Sequence, residues 1–345
     1  MAWQHAWIRH LLAMSLPLVT LAYVLTGPWG IGALAWWSAP ALLIWLDARS
    51  GEQTAVIDDP PLAPFDVLLV ILAALQVGIV GIFVTRVAPA SWADALGGGV
   101  LVGLNSGFSG ITVAHELVHR PGWRHRLGRL LLVSVLYEHF STEHVRGHHA
   151  RVGTRDDPAT ARFGESFAAF RNRTIPAQLQ SAWRLEARRL GDAQMALFDP
   201  RQLGNRVLHG AVASAGVVVA TGVIGGFTGV TGLLVQAIVA IHLLEAVNWF
   251  EHWGIERRGA RPETRDSWDT NSAVTLYALV GLSRHADHHA HATRPYPTLR
   301  PFDDSPKLPW GYLATGILAL FDDRPIRARL EAELRRRRLG PFADT

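Results

Sequence analysis

The sequence predicts an all-α integral membrane protein with six transmembrane helices, and three observations carry that expectation. Hydrophobic residues make up 49% of the 345-residue chain and charged residues only 18%, below the quarter or so typical of soluble domains. Apolar runs of membrane length recur, a helix needing about 20 residues to cross a bilayer. The basic charge is almost wholly arginine, with Lys307 the single lysine, and it flanks those runs without forming an aromatic-interleaved face. That pattern favours membrane flanks and lipid contact over nucleic acid.

Taken in order, residues 11–26 and 31–46 form an apolar hairpin broken by Gly27-Pro28-Trp29-Gly30, and 65–85 is the cleanest span. A fourth run covers 96–114, and 207–224 with 230–249 form a second hairpin around Gly225-Gly226. The first run lacks a small-residue cleavage pattern and is expected to stay as a span. Arginine crowds 120–206 and 254–345 but is absent from the two hairpin turns, so the positive-inside rule puts both segments and both termini in the cytoplasm. The chain, 1–345, is then one membrane domain. Gly99, Gly103 and Gly107, four apart, suggest close helix packing, as do Gly222 and Gly226. The glycines at 97–103 have the wrong spacing for a dinucleotide fingerprint and follow no strand.

Two helices are expected outside the spans. Residues 176–190 alternate apolar and basic positions as an interfacial helix does. Residues 327–338 end in arginines with Gly340 beyond, suiting the dipole and C-cap rules. Those arginines are read as lipid-facing or solvated, with an acidic redox partner as the alternative. The chain has no cysteine, which excludes disulfides, iron–sulfur clusters and Cys-based zinc sites within it.

Chemistry concentrates in histidine. His115-Glu116-Leu117-Val118-His119 closes the fourth span, and Glu143-His144-Val145-Arg146-Gly147-His148-His149 comes next. Asn248-Trp249-Phe250-Glu251-His252 ends the sixth span, and His285-Ala286-Asp287-His288-His289 lies in the tail. The topology brings all four to one membrane face. Histidines four apart share a helix face, so His115/His119 and His144/His148 can each chelate one ion, while His149 points elsewhere. In the tail, His285 pairs across one turn with both His288 and His289. Nine imidazoles exceed the four to six ligands of one transition metal, so two ions are expected, with His148/His149 and His288/His289 able to serve both. Glu116, Glu143, Glu251 and Asp287 are read as carboxylates behind the ligands. His5, His10, His125 and His209 are expected to stay clear of metal, and His139 and His291 are ambiguous. His242 and Glu245 lie inside a span, where such a pair is a functional candidate. His-Glu-x-x-His alone also matches a zinc protease with Glu116 as general base, but that reading leaves the other clusters unexplained.

The ordered set His115–Arg120, Glu143–His149, Asn248–Gly254 and Arg284–His289 resembles the membrane-bound alkane 1-monooxygenases and the related xylene monooxygenase hydroxylase component. The likeness runs from the fourth span to about residue 320, while the first three spans match in hydropathy alone. The resemblance implies two non-haem iron ions held by the nine histidines, with Asn248 behind them. It also implies O2-dependent hydroxylation of the terminal methyl of a hydrocarbon such as an n-alkane. Electrons would come from a separate rubredoxin or ferredoxin-type donor with an NAD(P)H reductase. Ser283, where glutamine is usual, and Trp249 and Trp253, where tyrosine is common, bear on the substrate and leave the ligands intact. Alternatives are a methylarene monooxygenase, a fatty-acyl desaturase or lipid hydroxylase, an intramembrane zinc protease and, most distantly, a metal transporter.

Overall fold

The computed structural model describes residues 2–27, 35–87 and 90–344, and among these the chain is helical with no strand. Four helices are long and apolar enough to cross a membrane: Trp3–Thr26, Leu62–Arg86, Trp92–Val118 and Arg206–His252. The first starts eight residues before its apolar run, where Trp3 and Trp7 pack against the core cluster and Trp7 Nε1–H donates to the Pro64 carbonyl at 3.2 Å. Of the expected 31–46 span, residues 31–34 lie outside the described residues, as do 28–30 of its turn. The rest of that span falls largely in the eleven-residue helix Ser38–Ala48. Apolar side chains such as Leu42, Trp45, Val67, Val212, Val223 and Phe227 stay exposed, as a bilayer-facing surface requires.

The expected second hairpin is a single 47-residue helical run broken at Gly226, whose φ of 59° and ψ of −158° leave the helical region. A Cβ on Gly229 would stand 3.5 Å from Thr221 Cγ2. Eight residues of straight helix would separate the two by about 12 Å, so the chain folds back here. Gly226 takes the positive φ that other residues resist.

The glycine stripe positions the site. A Cβ on Gly99 would lie 2.9 Å from Val235 Cβ, one on Gly103 2.6 Å from Val239 Cβ, and one on Gly107 2.7 Å from Leu243 Cδ1. Each step of four on one helix matches a step of four on the other, so the two run parallel with backbones in close approach. Beyond Gly107 the two helices run on to His115 and Glu251, which line one cavity.

The segments expected to be polar hold more core than their composition suggests. Tyr312–Phe321, an apolar helix of ten residues within 254–345, packs between Ser38–Ala48 and Arg206–His252. Buried Asp47 secures it, accepting from Ser272 Oγ at 2.7 Å, Thr275 Oγ1 at 2.6 Å and the Ala314 N–H at 3.1 Å. The expected 176–190 helix is longer, Phe167–Arg189, with Ser166 as N-cap and Pro176 inside. It buries Phe170, Gln178 and Glu186 and packs on Arg206–His252, so it is a core element as well as a surface one. The last helix spans Arg324–Arg337 and buries Ile326, Leu330 and Leu334. Arg338, not Gly340, supplies its left-handed cap at φ 55°, and Arg335, Arg336 and Arg337 pair with Glu331 and Glu333.

Candidate metal centre

The nine boxed histidines meet. His115 and His119 end Trp92–Val118, and His252 ends Arg206–His252. The others come from two short helical stretches, 140–151 and His285–Ala290, laid across those ends. His115, His119, His144 and His288 form one group, and His148, His252, His285 and His289 another, the ring nitrogens of each lying within 4.8 Å of one another. His149 joins the first group: its Nε2 is 3.1 Å from His144 Nε2 and 3.2 Å from His288 Nε2. Its ring stacks on His289 at 4.4 Å, where the two groups touch.

This arrangement corrects two expectations. His144 and His148 fall in different groups, while His144 and His149 share one. The reason is local: His144–His148 is a π-helical turn, whose i→i+5 pairing widens the turn and shifts which side chains align. The adjacent pairs His148/His149 and His288/His289 do serve both groups, each giving one ring to either side. His285 accordingly sits with His289 and not with His288.

The donor set suits metal. Two nitrogens about 2.0–2.1 Å from one ion stand roughly 2.8–3.4 Å apart at right-angled to tetrahedral spacing. The observed Nε2 separations are 3.0 Å for His119–His144 and 3.2 Å for His252–His285. Several buried ring nitrogens, including His115 Nε2, His148 Nε2 and both of His289, have no hydrogen-bond partner among the described residues. Burial also keeps the rings neutral, as ligation requires. It drives His119 down to about 3, aided by His148 and Arg120, and holds His144, His149, His285, His288 and His289 well below the usual imidazole range.

Of the four carboxylates read as lying behind the ligands, only Glu251 lies against a boxed ring among the described residues, its Oε1 3.2 Å from His285 Nδ1 but off the hydrogen-bond line. Glu116 instead accepts from Arg120 Nη2 at 2.6 Å, and Glu143 from Arg151 Nη2 at 2.5 Å. A Cβ on Gly147 would stand 2.6 Å from Glu143 Oε1, which explains that glycine. Asp287 accepts from Arg294 Nη1 at 2.6 Å and from the Arg300 N–H at 2.8 Å, fixing the loop beyond the last box. Asn248 donates to Glu245 Oε2 at 3.2 Å and touches no boxed ring nitrogen.

The carboxylate that does orient a ring is Asp157, absent from the sequence-derived set. His148 Nδ1–H donates to its Oδ2 at 2.8 Å, leaving His148 Nε2 free to face the second group. Burial pushes Asp157 up, yet the His148 ring and the Thr160 hydroxyl hold it below its ordinary value. The remaining seven histidines stay outside both groups. His125, His209 and His242 engage backbone carbonyls of Val118, Leu203 and Ile238, His291 engages Asp287, and His10 sits edge-on among Phe65, Tyr277 and Tyr296. His139 packs on Tyr137. Glu245 binds Tyr137, Gln178 and Asn248, so the His242–Glu245 pairing does not form.

On the membrane side, a narrow cavity of about 30 Å³ touches both groups through His115, His144 and His285, with Ile111, Leu244 and Val247 among its apolar walls.

Comparison with known proteins agrees with this geometry. The fatty acid desaturase family model matches residues 90–316. Alkane 1-monooxygenase 1 of Pseudomonas aeruginosa is 39% identical over 236 residues, covering 66% of this chain and 61% of that protein, so the match spans about three-fifths of that relative. Alkane 1-monooxygenase 1 of Alcanivorax borkumensis is 30% identical over 341 residues, covering 92% and 82%. The xylene/toluene monooxygenase hydroxylase component XylM of Pseudomonas putida is 24% identical over 209 residues, covering 59% and 55%. The chain belongs to the fatty acid desaturase family and, within it, to the alkane 1-monooxygenases.

Proposed function

We propose that the protein is a membrane monooxygenase that converts an n-alkane to the 1-alkanol with O2. The observation that carries this reading is the pair of imidazole groups at the inner end of an apolar cavity. His115, His119, His144, His149 and His288 would hold one iron ion, and His148, His252, His285 and His289 the other. Bound there, the two irons supply the capacity to activate O2 and oxidise an unactivated C–H bond.

The protein's own residues do the rest. Ile111, Leu244 and Val247 take a methyl terminus and keep water out, while His115, His144 and His285 set it against both groups. The narrow apolar lining suits the end of a hydrocarbon chain. Asp157 fixes the His148 tautomer, and Arg120 and Arg151 neutralise the buried carboxylates Glu116 and Glu143. Six passes fit best: the fold-back at Gly226 turns the fourth long helix into two, and Ser38–Ala48 belongs to another. Arginine-rich 120–206 and 254–345 put the histidines and both termini on the cytoplasmic side of the bacterial inner membrane, where a rubredoxin or ferredoxin-type donor reaches them.

Whole cells carrying the chain with a donor and its reductase should turn n-octane into 1-octanol, and His149→Ala should abolish product while the protein still reaches the membrane. Metal analysis adds an independent check: about two irons per chain are expected, two ions being what nine imidazoles call for. One zinc and no iron would end this reading in favour of the protease.

A further inference from the structure

We propose that electrons enter through an arginine-lined groove above the second histidine group, and that its occupant is a small acidic one-electron iron–sulfur protein. This rests on the hydroxylase reading, whose balance demands such a partner. Alkane, O2, two electrons and two protons give alcohol and water. The O–O bond breaks, one oxygen enters the C–H bond and the other leaves as water. Two donor molecules are each oxidised by one electron. The chain has no cysteine and so carries no iron–sulfur cluster of its own.

The groove, about 340 Å³, runs between residues 151–162 and the helix Phe167–Arg189. Arg155, Arg162, Arg184 and Arg188 line it, all exposed and none in an ion pair among the described residues, while Arg151 and Arg173 are spent on Glu143 and Glu165. Asp157 forms part of its floor and is bonded to His148 at 2.8 Å. A partner seated here is therefore one buried carboxylate away from a ring of the second group. Phe163, 40% exposed, packs on Trp253 beside Arg162 and offers an apolar contact at the rim. Four unpaired arginines select an acidic surface and steer its approach.

The charge of the groove favours an acidic protein as the occupant. Leu179, Trp183 and Ala187 face a neighbouring hollow with Met195, Leu197 and Val207, whose edge shares Arg184 and Arg188 with the groove, while Arg155 and Arg162 belong to the groove alone. Ala177, Ser181 and Leu185 turn the other way, into the arginine groove.

The test compares two reductants on the full-length, iron-loaded protein in nanodiscs: reduced bacterial rubredoxin, and photoreduced methyl viologen, a small cation. In a variant carrying Arg155→Glu, Arg162→Glu and Arg188→Glu, octane hydroxylation with rubredoxin should fall roughly tenfold or more at low ionic strength, the scale of electrostatic steering. Viologen-driven turnover should hold. Added salt should slow the wild type toward the variant with rubredoxin alone. Equal rubredoxin-driven rates in the two proteins would overturn the proposal, and so would loss with both reductants. A variant that loses only binding to phosphatidylglycerol vesicles assigns the arginines to lipid and also overturns it. Wild type inactive with both reductants would instead overturn the hydroxylase reading.

Discussion

Replacing Asp157 by Asn isolates the one carboxylate that, among the described residues, holds a boxed histidine ring by a direct, aligned bond. The two side chains are nearly isosteric, and both Asp157 and His148 are buried to within 2%. Oδ2 accepts from His148 Nδ1–H at 2.8 Å and Thr160 Oγ1–H at 2.6 Å, while Oδ1 accepts from the Ala159 N–H at 3.2 Å. An amide cannot meet all three donors. With its oxygen toward His148, its NH2 faces the Ala159 N–H; with the NH2 toward His148, the imidazole must carry its proton on Nε2 and cannot ligate. Either outcome removes a charge-assisted bond that contributes about 1.5–3 kcal/mol, and loss of such a partner weakens metal binding roughly 10–100-fold. Iron titration against a competing chelator should show one of two iron equivalents weakened by that factor and the other unchanged. Asp156→Asn, one residue away and exposed, should bind both as the wild type does. Iron affinity in Asp157→Asn equal to wild type would refute the argument that this carboxylate sets the ring.

Burial lowers His139 from 6.5 to about 4. The unfolded chain takes up that proton first, so stability present above pH 6.5 is lost as pH falls toward 4, at about 1.4 kcal/mol per unit. Unfolding midpoints of detergent-solubilised wild type should drop across this window, and those of His139→Phe should drop by one proton's worth less. Gly103→Ala forces a methyl to 2.6 Å from Val239 and 2.9 Å from the Gln236 carbonyl, an overpacking worth about 1–3 kcal/mol. Thermal shift should register that loss, while Gly97→Ala, whose Cβ meets nothing within 4 Å, should be neutral. Glu245→Gln sets an NH2 group among the Tyr137, Gln178 and Asn248 donors. A loss of about 1–3 kcal/mol is expected from the unmet partners; an unchanged melting temperature would show that the network carries no stability.

How much of the molecule is legible in its sequence depends on how local each signal is. The apolar runs and the four boxes are contiguous, and hydropathy and spacing expose them directly. The glycine stripe is legible as packing, but its partner is not, since Val235, Val239 and Leu243 look like any apolar helix face. Asp157 escapes sequence reasoning because it reaches His148 from a turn, nine residues on, with no period to announce it. Three carboxylates mislead for the opposite reason: beside histidine in sequence, they turn toward arginine in space. Glu116–Arg120 is open to prediction, being four apart on one helix. Arg151 lies beyond the π-helical turn and Arg294 beyond the end of its helix, where helical spacing gives no guidance.

The π-helical turn also explains why two metal groups can be fed by so few segments. A regular helix presents one face every 3.6 residues, so His144, His148 and His149 would give an aligned pair and a stray. Widening the turn at His144–His148 returns His149 to the side of His144 and leaves His148 to the other group. A second π-helical stretch, Ser106–Ile111, lies just before His115 on the neighbouring helix. It interrupts the glycine-packed register after Gly107, so a helix locked to Arg206–His252 below can rotate His115 toward His144 and His288 above. Removing one residue from that stretch should restore regular α-helix and turn His115 by about 100°. The span and its packing would survive, and iron would be lost from the first group alone. A deletion that kept two irons would show that the π-helical turn is incidental to the site.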